Sequence, residues 1–540
     1  MGKPVNRMLQ IAGAAVTVGL LLLLTLAPSA PAQSKPRFGG ELVLAVPSEP
    51  PSYDGHREET FGVIHPISPH YSLLLKVHPE DPTGTKIIGD LAESWTIAKD
   101  GLTYTFKIRG GVKFHDGSPL TSKDIKATYD KIISPPAGVA STRKGQYAVV
   151  EAVEAPDAST VRFRLKHPSA ALLAGLASPW NYIYKAEILA KDPRWYEKNI
   201  MGTGPFTFVE HVKGSHWVGK KFPDYWDKGK PYLDGYRALF IRDTGARVAA
   251  IRGERAFIEF RSFNPARRDE LVKALGPKIR VQESAWDCAL WATPNQEKKP
   301  FNDPRVRRAL SLALDRWEGS KHLSKITIVK EVGGVQVPGT TYATPESELT
   351  KLAGFSKDIE ASRKEARRLL KEAGVPESFS FTFTNRGIPE PYEPLAIWFI
   401  DQWRKTGLNV TQKVIEAAAY FGPLRAGDFE VAMDFQCGYI VEPDLDLYKF
   451  LSVDRNDANY GRYKDRVLDE LYDKQSRALD VEERKKLIRQ FEKRLLDEQA
   501  HIVPSLWWHR TIPHNARVNG WTITPSHYLN QQLDTVWLSE

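Results

Sequence analysis

Residues 91–120 read LAESWTIAKDGLTYTFKIRGGVKFHDGSPL, and this stretch carries the clearest fold information in the chain. Within it, residues 102–109 alternate apolar Leu, Tyr, Phe and Ile with polar Thr, Thr, Lys and Arg. Residues 161–166, VRFRLK, repeat the alternation. A period of two places one face of each strand in a core and the other in water, as in an antiparallel sheet. The sequence therefore predicts half-buried antiparallel strands in this part of the chain.

Helix boundaries are marked by residues that cap helices or interrupt them, each beside an apolar stripe of helical spacing. They are a capping box at Thr121–Asp124, a proline start at Asp303–Pro304, a stop at Gly374, and a cap at Asp480 with Glu483. The helices and strands do not follow the strict rhythm of a βαβ fold. We therefore predict a mixed α/β (α+β) chain, with no internal repeat and no long low-complexity linker.

The N-terminus has the order of features expected of an export signal. Lys3 and Arg7 precede an apolar run over residues 11–27, and the small-residue pattern Ala30-Pro31-Ala32 follows. The alternative is an uncleaved membrane anchor, but the run is borderline in length for a span. The sequence predicts export to the periplasm with cleavage after about Ala32. No Cys lies near this site, which argues against a lipid anchor.

Length and charge restrict the class of protein. A chain of 540 residues predicts two or three domains. Its formal net charge is +9, and acidic residues are nearly as numerous as basic ones. A basic balance can indicate nucleic acid or an anionic membrane, but an exported protein rarely meets nucleic acid. We infer only a mild preference for an anionic ligand or surface, and no nucleic-acid partner.

The only cysteines are Cys288 and Cys437. An even count in an oxidising compartment favours a disulfide. Two buried free thiols are the alternative, because free Cys is commonly buried. The residues alone leave both interpretations open.

The sequence lacks several common enzyme motifs. The chain has no Gly-x-Ser-x-Gly elbow, no His-Glu-x-x-His helix and no Gly-rich phosphate loop followed by Lys-Ser/Thr. His65, His70 and His78 lie in one loop-rich region without metal-ligand spacing on a helix. We therefore predict no enzymatic activity, no cofactor and no metal site, with a secreted hydrolase as the less favoured alternative.

Further motifs follow in order along the chain. They are Gly39–Ala45 (GGELVLA), Glu49–Asp54 (EPPSYD), Gly202–Phe206 (GTGPF), Pro223–Trp226 (PDYW), Lys230–Asp234 (KPYLD), Pro300–Leu310 (PFNDPRVRRAL) and Ala313–Arg316 (ALDR). With residues 91–120, they resemble the motifs of the family 5 extracellular solute-binding proteins. These are the oligopeptide, dipeptide and nickel receptors of ABC importers.

The resemblance implies a two-lobed fold with two crossovers that form a hinge. Lobe one would comprise residues 33–71, 196–287 and 503–540, with an inserted subdomain at 72–195, and lobe two would comprise 288–502. Lobe closure would trap the solute in the cleft. Peptide receptors of the family have a disulfide in the C-terminal lobe, and Cys288 and Cys437 fall where such a pair is expected.

Residues 434–443, DFQCGYIVEP, carry the most specific information about the solute. Peptide-binding relatives place a Trp-Cys-x-Asp or Gly-Asp pattern before Glu-Pro or Asp-Pro, and their Asp pairs with the α-ammonium of the peptide. Here Gln436 stands at the Trp position and Tyr439 at the Asp position. Because a buried ammonium without a carboxylate partner is costly, this departure predicts a solute that lacks an ammonium. Glu442 or Asp444 would substitute only in a reshaped loop.

Arg386 matches a loop position where some relatives present an Arg to a carboxylate. Its guanidinium offers a planar fork for carboxylate or phosphate, and the alternative is a solvated loop Arg. The other residues that the resemblance places at the solute are Glu59, Thr60, Phe61, Trp291, Ala417, Cys437, Gly438 and Tyr439. Core packing is the alternative for Phe61, and Trp286 is predicted to be structural. Ala417, where relatives often carry an aromatic residue, suggests a roomier pocket.

The sequence thus predicts a monomeric receptor that captures a peptide, a peptide-like compound or an anionic organic compound. It would deliver this solute to the permease subunits of an ABC importer. A nickel or haem receptor of the same family is the alternative. A chaperone-like or adhesion role is a third class, which polyspecific binding would distinguish.

Overall fold

The structure is a computed structural model that describes residues 35–58, 60–416, 419–456 and 458–540. The predicted signal peptide, Glu59 and Ala417 lie outside the described residues. The strands are β1 (Glu41–Val46), β2 (Leu75–Val77), β3 (Ile87–Gly89), β4 (Ala92–Ile97), β5 (Thr103–Ile108), β6 (Val150–Asp157), β7 (Thr160–Leu165), β8 (Phe206–Val212), β9 (His216–Lys221), β10 (Gly235–Phe240), β11 (Ile258–Glu259), β12 (Ile279–Pro294), β13 (Val329–Glu331), β14 (Ser380–Gly387), β15 (Asn409–Glu416), β16 (Val431–Cys437), β17 (Val503–Asn515), β18 (Val518–Asn519) and β19 (Trp537–Leu538).

Helices lie between these strands. They are α1 (Phe61–Ile67), α2 (Ser122–Ile133), α3 (Leu172–Leu176), α4 (Ala186–Lys191), α5 (Thr244–Arg252), α6 (Pro265–Leu275), α7 (Pro304–Leu312), α8 (Arg316–Leu323), α9 (Glu346–Leu349), α10 (Ile359–Glu372), α11 (Tyr392–Arg404), α12 (Phe421–Ala426), α13 (Pro443–Tyr448), α14 (Arg466–Arg477) and α15 (Val481–Lys493). Among the residues that the structure describes, no helix has the length and apolar character needed to cross a bilayer.

The local predictions from sequence are confirmed. Both alternating segments form strands, β5 and β7, which pair with each other antiparallel. Thr121 and Asp124 form the capping box of α2, and the side chain of Asp303 caps α7. Helix α10 ends just before Gly374, whose positive φ of 71° suits a residue without a Cβ. Asp480 caps α15.

Three larger sheets organise the strands. A four-stranded sheet has the order β4-β5-β7-β6, a five-stranded sheet β11-β1-β10-β9-β8, and a six-stranded sheet β13-β17-β12-β16-β14-β15. The four-stranded sheet lies within the predicted inserted subdomain. Each sheet contributes to its own apolar core, as expected when every sheet must bury one face.

Strands β12 and β17 form one long antiparallel ladder. The pairing runs from Ile279 opposite Asn515 to Ala292 opposite Val503, with irregularities between Ala285 and Ala289 and between Ala289 and Trp291. One end of the ladder lies beside β11, where the Asn515 amide donates to the carbonyl of Phe257 at 2.7 Å. The other end lies inside the six-stranded sheet. The predicted lobe boundaries fall within β12 and at the start of β17, and the lobe ranges stay a prediction.

A disulfide joins Cys288 to Cys437, as the resemblance predicted. The two residues are direct partners in the register of β12 and β16, and 149 positions separate them in the sequence. The bond therefore fixes the end of β16, and the loop that follows it, to the long ladder.

A buried ion pair connects the N-terminal segment to α2. The Nζ atom of Lys131 lies 2.7 Å from Oδ2 of Asp54, and both side chains are almost fully buried. Tyr184 donates its hydroxyl to the other oxygen of Asp54 at 2.9 Å. Removal of either charge would leave the other buried without its partner, which is strongly destabilising.

Two further buried carboxyl groups, one in β12 and one in α13, have no cation paired with them among the described residues. Asp287 and Asp446 are each 2% exposed, and Oδ2 of each has no hydrogen-bond partner. The nearby Arg484 is already paired with Glu442 and Asp444. Burial raises the pKa of Asp287. Burial, followed by repulsion from Asp287, raises the pKa of Asp446.

We predict that the Asp287→Asn variant gains stability relative to wild type as the pH rises from about 4 to 8. The unfolded carboxyl titrates near its ordinary pKa of about 4, whereas the folded one holds its proton to higher pH. Between these values the folded state binds more protons, so wild-type stability falls as pH rises, by up to about 1.4 kcal/mol per pH unit. Urea unfolding at several pH values measures the difference. The Asp428→Asn variant, at an exposed aspartate, is the control. Equal slopes for wild type and Asp287→Asn would contradict the prediction.

The disulfide gives a second prediction. Non-reducing peptide mapping should recover Cys288 and Cys437 in one linked peptide. The Cys288→Ala/Cys437→Ala variant should lose about 2–4 kcal/mol of unfolding free energy, because the cross-link restricts the unfolded chain. Thiol titration of the denatured, unreduced wild type is the check. Two free thiols per chain would contradict the prediction.

Candidate solute-binding site

Arg386 lies near the end of β14 and is surrounded by aromatic rings. Its Cζ atom is 5.1 Å from the ring centroid of Phe421, 5.3 Å from that of Phe435 and 5.7 Å from that of Tyr392. Its Nη1 atom donates to the Tyr392 hydroxyl at 3.4 Å, and its buried Nε has no hydrogen-bond partner. The faces of the rings hold the guanidinium in place, and one long hydrogen bond to Tyr392 is the contact that uses a donor. Arg386 can therefore still receive a carboxylate or phosphate.

A second guanidinium, Arg261, follows β11. Its Cζ atom is 4.4 Å from the ring centroid of Phe61 and 5.9 Å from that of Trp286. Its Nε is buried without a hydrogen-bond partner, and burial lowers the pKa of the guanidinium. Arg261 thus has the same kind of environment as Arg386, with aromatic faces as neighbours and a donor that is not used.

Aromatic rings connect the surroundings of the two arginines. The centroids of Trp286 and Trp508 are 5.3 Å apart, those of Trp508 and Tyr392 are 6.4 Å apart, and those of Tyr392 and Phe435 are 6.0 Å apart. We call Trp286, Trp508, Tyr392 and Phe435 the aromatic row. The pairing of β12 with β17 brings its first two members together, although more than two hundred residues separate them in the sequence.

The loop after β16 passes close to β12. The amide of Gly438 donates to the carbonyl of Asp287 at 2.7 Å. A Cβ at Gly438 would overlap the carboxylate of Asp287, so only glycine fits this position without rearrangement. The next residue, Tyr439, packs against the apolar cores of the five-stranded and four-stranded sheets. This loop therefore connects the six-stranded sheet to the rest of the protein.

The structure brings some of the predicted site residues together and separates others. Phe61 lies under Arg261, and Thr60 caps α1 by accepting from the amide of Gly62 at 3.2 Å. Trp291 instead packs on Phe450 in another apolar core, with 5.2 Å between the ring centroids. Trp286, predicted to be structural, is the tryptophan that lies beside a free guanidinium.

Arg261 and Trp508 are not among the site residues predicted from the sequence. Arg261 stands in the apolar run FIEFRSF at residues 257–263. A lone cation in such a run is a signal, because a buried charge needs a reason. Trp508 gave no local signal, since its position depends on the pairing of β17 with β12.

The histidines of the N-terminal region take part in separate hydrogen bonds. His65 bonds to the carbonyl of His527 at 3.0 Å, and His70 to that of Phe206 at 2.8 Å. Burial lowers the pKa of both His65 and His70 to about 3. Within the described ranges, no group of three or more His, Cys, Asp or Glu side chains could hold a metal ion.

Known proteins resemble this chain over most of its length. The family model "Bacterial extracellular solute-binding proteins, family 5 Middle" matches residues 86–458. Di/tripeptide-binding protein 2 of Pseudomonas aeruginosa is 30% identical over 516 residues, which cover 90% of this chain and 92% of that protein. Heme-binding protein A of Haemophilus influenzae is 27% identical over 470 residues, which cover 82% and 83%. The solved structure of the periplasmic binding protein DppA from Helicobacter pylori, in complex with the peptide STSA, has a TM-score of 0.75 and 26% identity, and covers 93% and 99%.

These matches confirm the predicted mixed α/β, two-lobed fold and the prediction of a solute receptor of the ABC-importer type. The mid-chain motifs, the disulfide and the long ladder are consistent with them. The chain belongs to the bacterial extracellular solute-binding proteins of family 5.

Proposed function

We propose that this protein captures a small organic solute bearing an acidic group, in the cleft between its lobes, and releases it to an ABC permease. It acts in the periplasm as a monomer, does not alter the solute chemically and has no nucleic-acid partner. Hinge closure at β12 and β17 traps the solute, as expected for two lobes joined by crossover strands.

The environment of Arg386 is the observation that carries this proposal. A half-buried guanidinium with an unused Nε is costly unless an acceptor reaches it. A carboxylate or phosphate matches its planar fork. The neighbouring rings exclude water and so strengthen such a contact. These features support an anionic group at this end of the cleft.

The relatives support a small solute but differ in its identity. Their names state di/tripeptides, haem and glutathione as ligands. A peptide supplies a carboxylate for Arg386, and so do the propionates of haem. Haem remains the second candidate, favoured by the likeness to heme-binding protein A. Denaturing release of bound material, followed by mass spectrometry, separates the candidates, and an unchanged solute would support a receptor without turnover.

We predict that Arg386→Gln weakens the binding of a carboxylate-bearing solute by about tenfold to a hundredfold. A hydrogen bond to a charged group contributes about 1.5–3 kcal/mol. Isothermal titration with the released solute measures the effect. Short peptides are titrated as well, each compared with the same peptide carrying a C-terminal amide in place of the carboxylate. Arg425→Gln is the matched control, because this exposed arginine lies 5.9 Å from the same Phe421 ring. Equal affinities for Arg386→Gln and wild type would refute the assignment.

A further inference from the structure

Three buried donors along the aromatic row have no acceptor in the described structure. They are Nε of Arg261, Nε1 of Trp508 and Nε of Arg386. An unmade hydrogen bond of a buried donor costs free energy, so such groups usually have partners. Three donors without acceptors, in one connected region, indicate a missing acceptor there.

The charged groups around Arg261 also indicate a missing negative partner, because positive groups outnumber negative ones. Arg247, Arg261 and Arg510 surround one buried carboxylate, Glu259, and all three lower its pKa against the larger opposing effect of burial. The guanidinium of Arg510 donates to the carbonyls of Arg261, Thr524 and Phe260. That of Arg247 donates mainly to backbone carbonyls. Arg261 is the member of this group whose side chain makes no hydrogen bond or ion pair with any described residue.

The other titratable groups near Arg261 do not neutralise it. His65 and His527 face it, and burial lowers the pKa of both, so they are neutral at physiological pH. Tyr528 and Tyr392 are the remaining groups that act on its charge. A phenol at neutral pH carries no negative charge. A positive charge therefore persists at this end of the row.

We propose that Arg261 binds a second acidic group of the solute, so that the solute is an organic diacid held at one end by Arg386 and at the other by Arg261. The apolar middle of the diacid lies along the aromatic row, and Trp508 donates its Nε1 to the acid beside Arg261. This inference rests on the proposed function and specifies the class of solute. Arg261 follows β11 of the five-stranded sheet, and Arg386 lies near the end of β14 in the six-stranded sheet. The diacid would therefore connect the two sheets.

The experiment compares diacids with monoacids of the same length. The probes are succinate, adipate and suberate with their monomethyl esters, and the peptides Ala-Glu and Ala-Gln. Their affinities are measured by isothermal titration on the full mature protein. The variants are Arg261→Gln, Arg261→Lys and Arg386→Gln. Arg267→Gln is the control, since it removes an exposed charge from the same part of the chain.

We expect wild type to bind the best diacid at least about tenfold more tightly than its monoester. Arg261→Gln should abolish this preference, so that the diacid and its monoester bind with equal affinity. Arg261→Lys should retain part of the preference, because it keeps the charge but loses the planar fork. Arg267→Gln should behave as wild type. Circular dichroism and the unfolding temperature of each free variant show whether it is folded.

Two results separate failure of this inference from failure of the proposed function. If folded Arg261→Gln keeps the diacid preference, or if wild type has none, the inference is overturned. The proposed function then stands if Arg386→Gln still weakens monoester binding. If none of the acids binds to wild type, the inference is overturned, and titration of wild type and Arg386→Gln with the released solute decides the proposed function.

Discussion

The antiparallel pairing of β12 with β17 is the constraint on which the rest of the structure depends. Both strands belong to the six-stranded sheet, and at one end of the ladder Asn515 also hydrogen-bonds to Phe257 beside β11, so the ladder connects two sheets. It also positions two members of the aromatic row, with Trp286 on one strand and Trp508 on the other. The disulfide attaches β16 to the same ladder and thereby fixes the loop that contains Gly438. The arrangement of the six-stranded sheet, the position of the disulfide and the contact between Trp286 and Trp508 thus all depend on one set of backbone hydrogen bonds.

What could be predicted from the sequence was local or carried by motifs. The alternation in β5, the capping box of α2 and the glycine stop of α10 each depend on a few neighbouring residues. The family and the disulfide partners came from the resemblance, because no local property of Cys288 or Cys437 distinguished a bond from two thiols. Fold class and receptor class were accordingly within reach.

The arrangement of the site was not predictable, because it depends on contacts between distant segments. Trp286 and Trp291 stand five positions apart, and the sequence does not show which one faces the cleft. The register of the ladder shifts between Ala285 and Ala289 and again between Ala289 and Trp291, which adds to this ambiguity. Arg261 is significant only because Phe61 and Trp286, from two other segments, come to lie against it. An excess of positive charge that arises only when distant segments meet in the folded protein cannot be read from the sequence.

The buried guanidinium and carboxyl groups that lack partners lie in different parts of the protein. Unpaired guanidinium donors lie along the aromatic row, whereas the unpaired carboxylates of Asp287 and Asp446 lie in the core beside β12. Gly438 marks the boundary, since its missing side chain leaves room for the carboxylate of Asp287. A carboxyl group that holds its proton carries no charge, so it does not weaken the positive potential around the guanidinium groups of the aromatic row.

The edge-on contact between Trp286 and Trp508 has an optical consequence. The two indoles lie 5.3 Å apart at an interplanar angle of 86°, and one of them borders a guanidinium. Indole emission responds to nearby charge and to the polarity of the surroundings. A change in water content or charge beside this pair therefore alters the intrinsic fluorescence of the protein, and binding of the proposed solute there would be visible without a label.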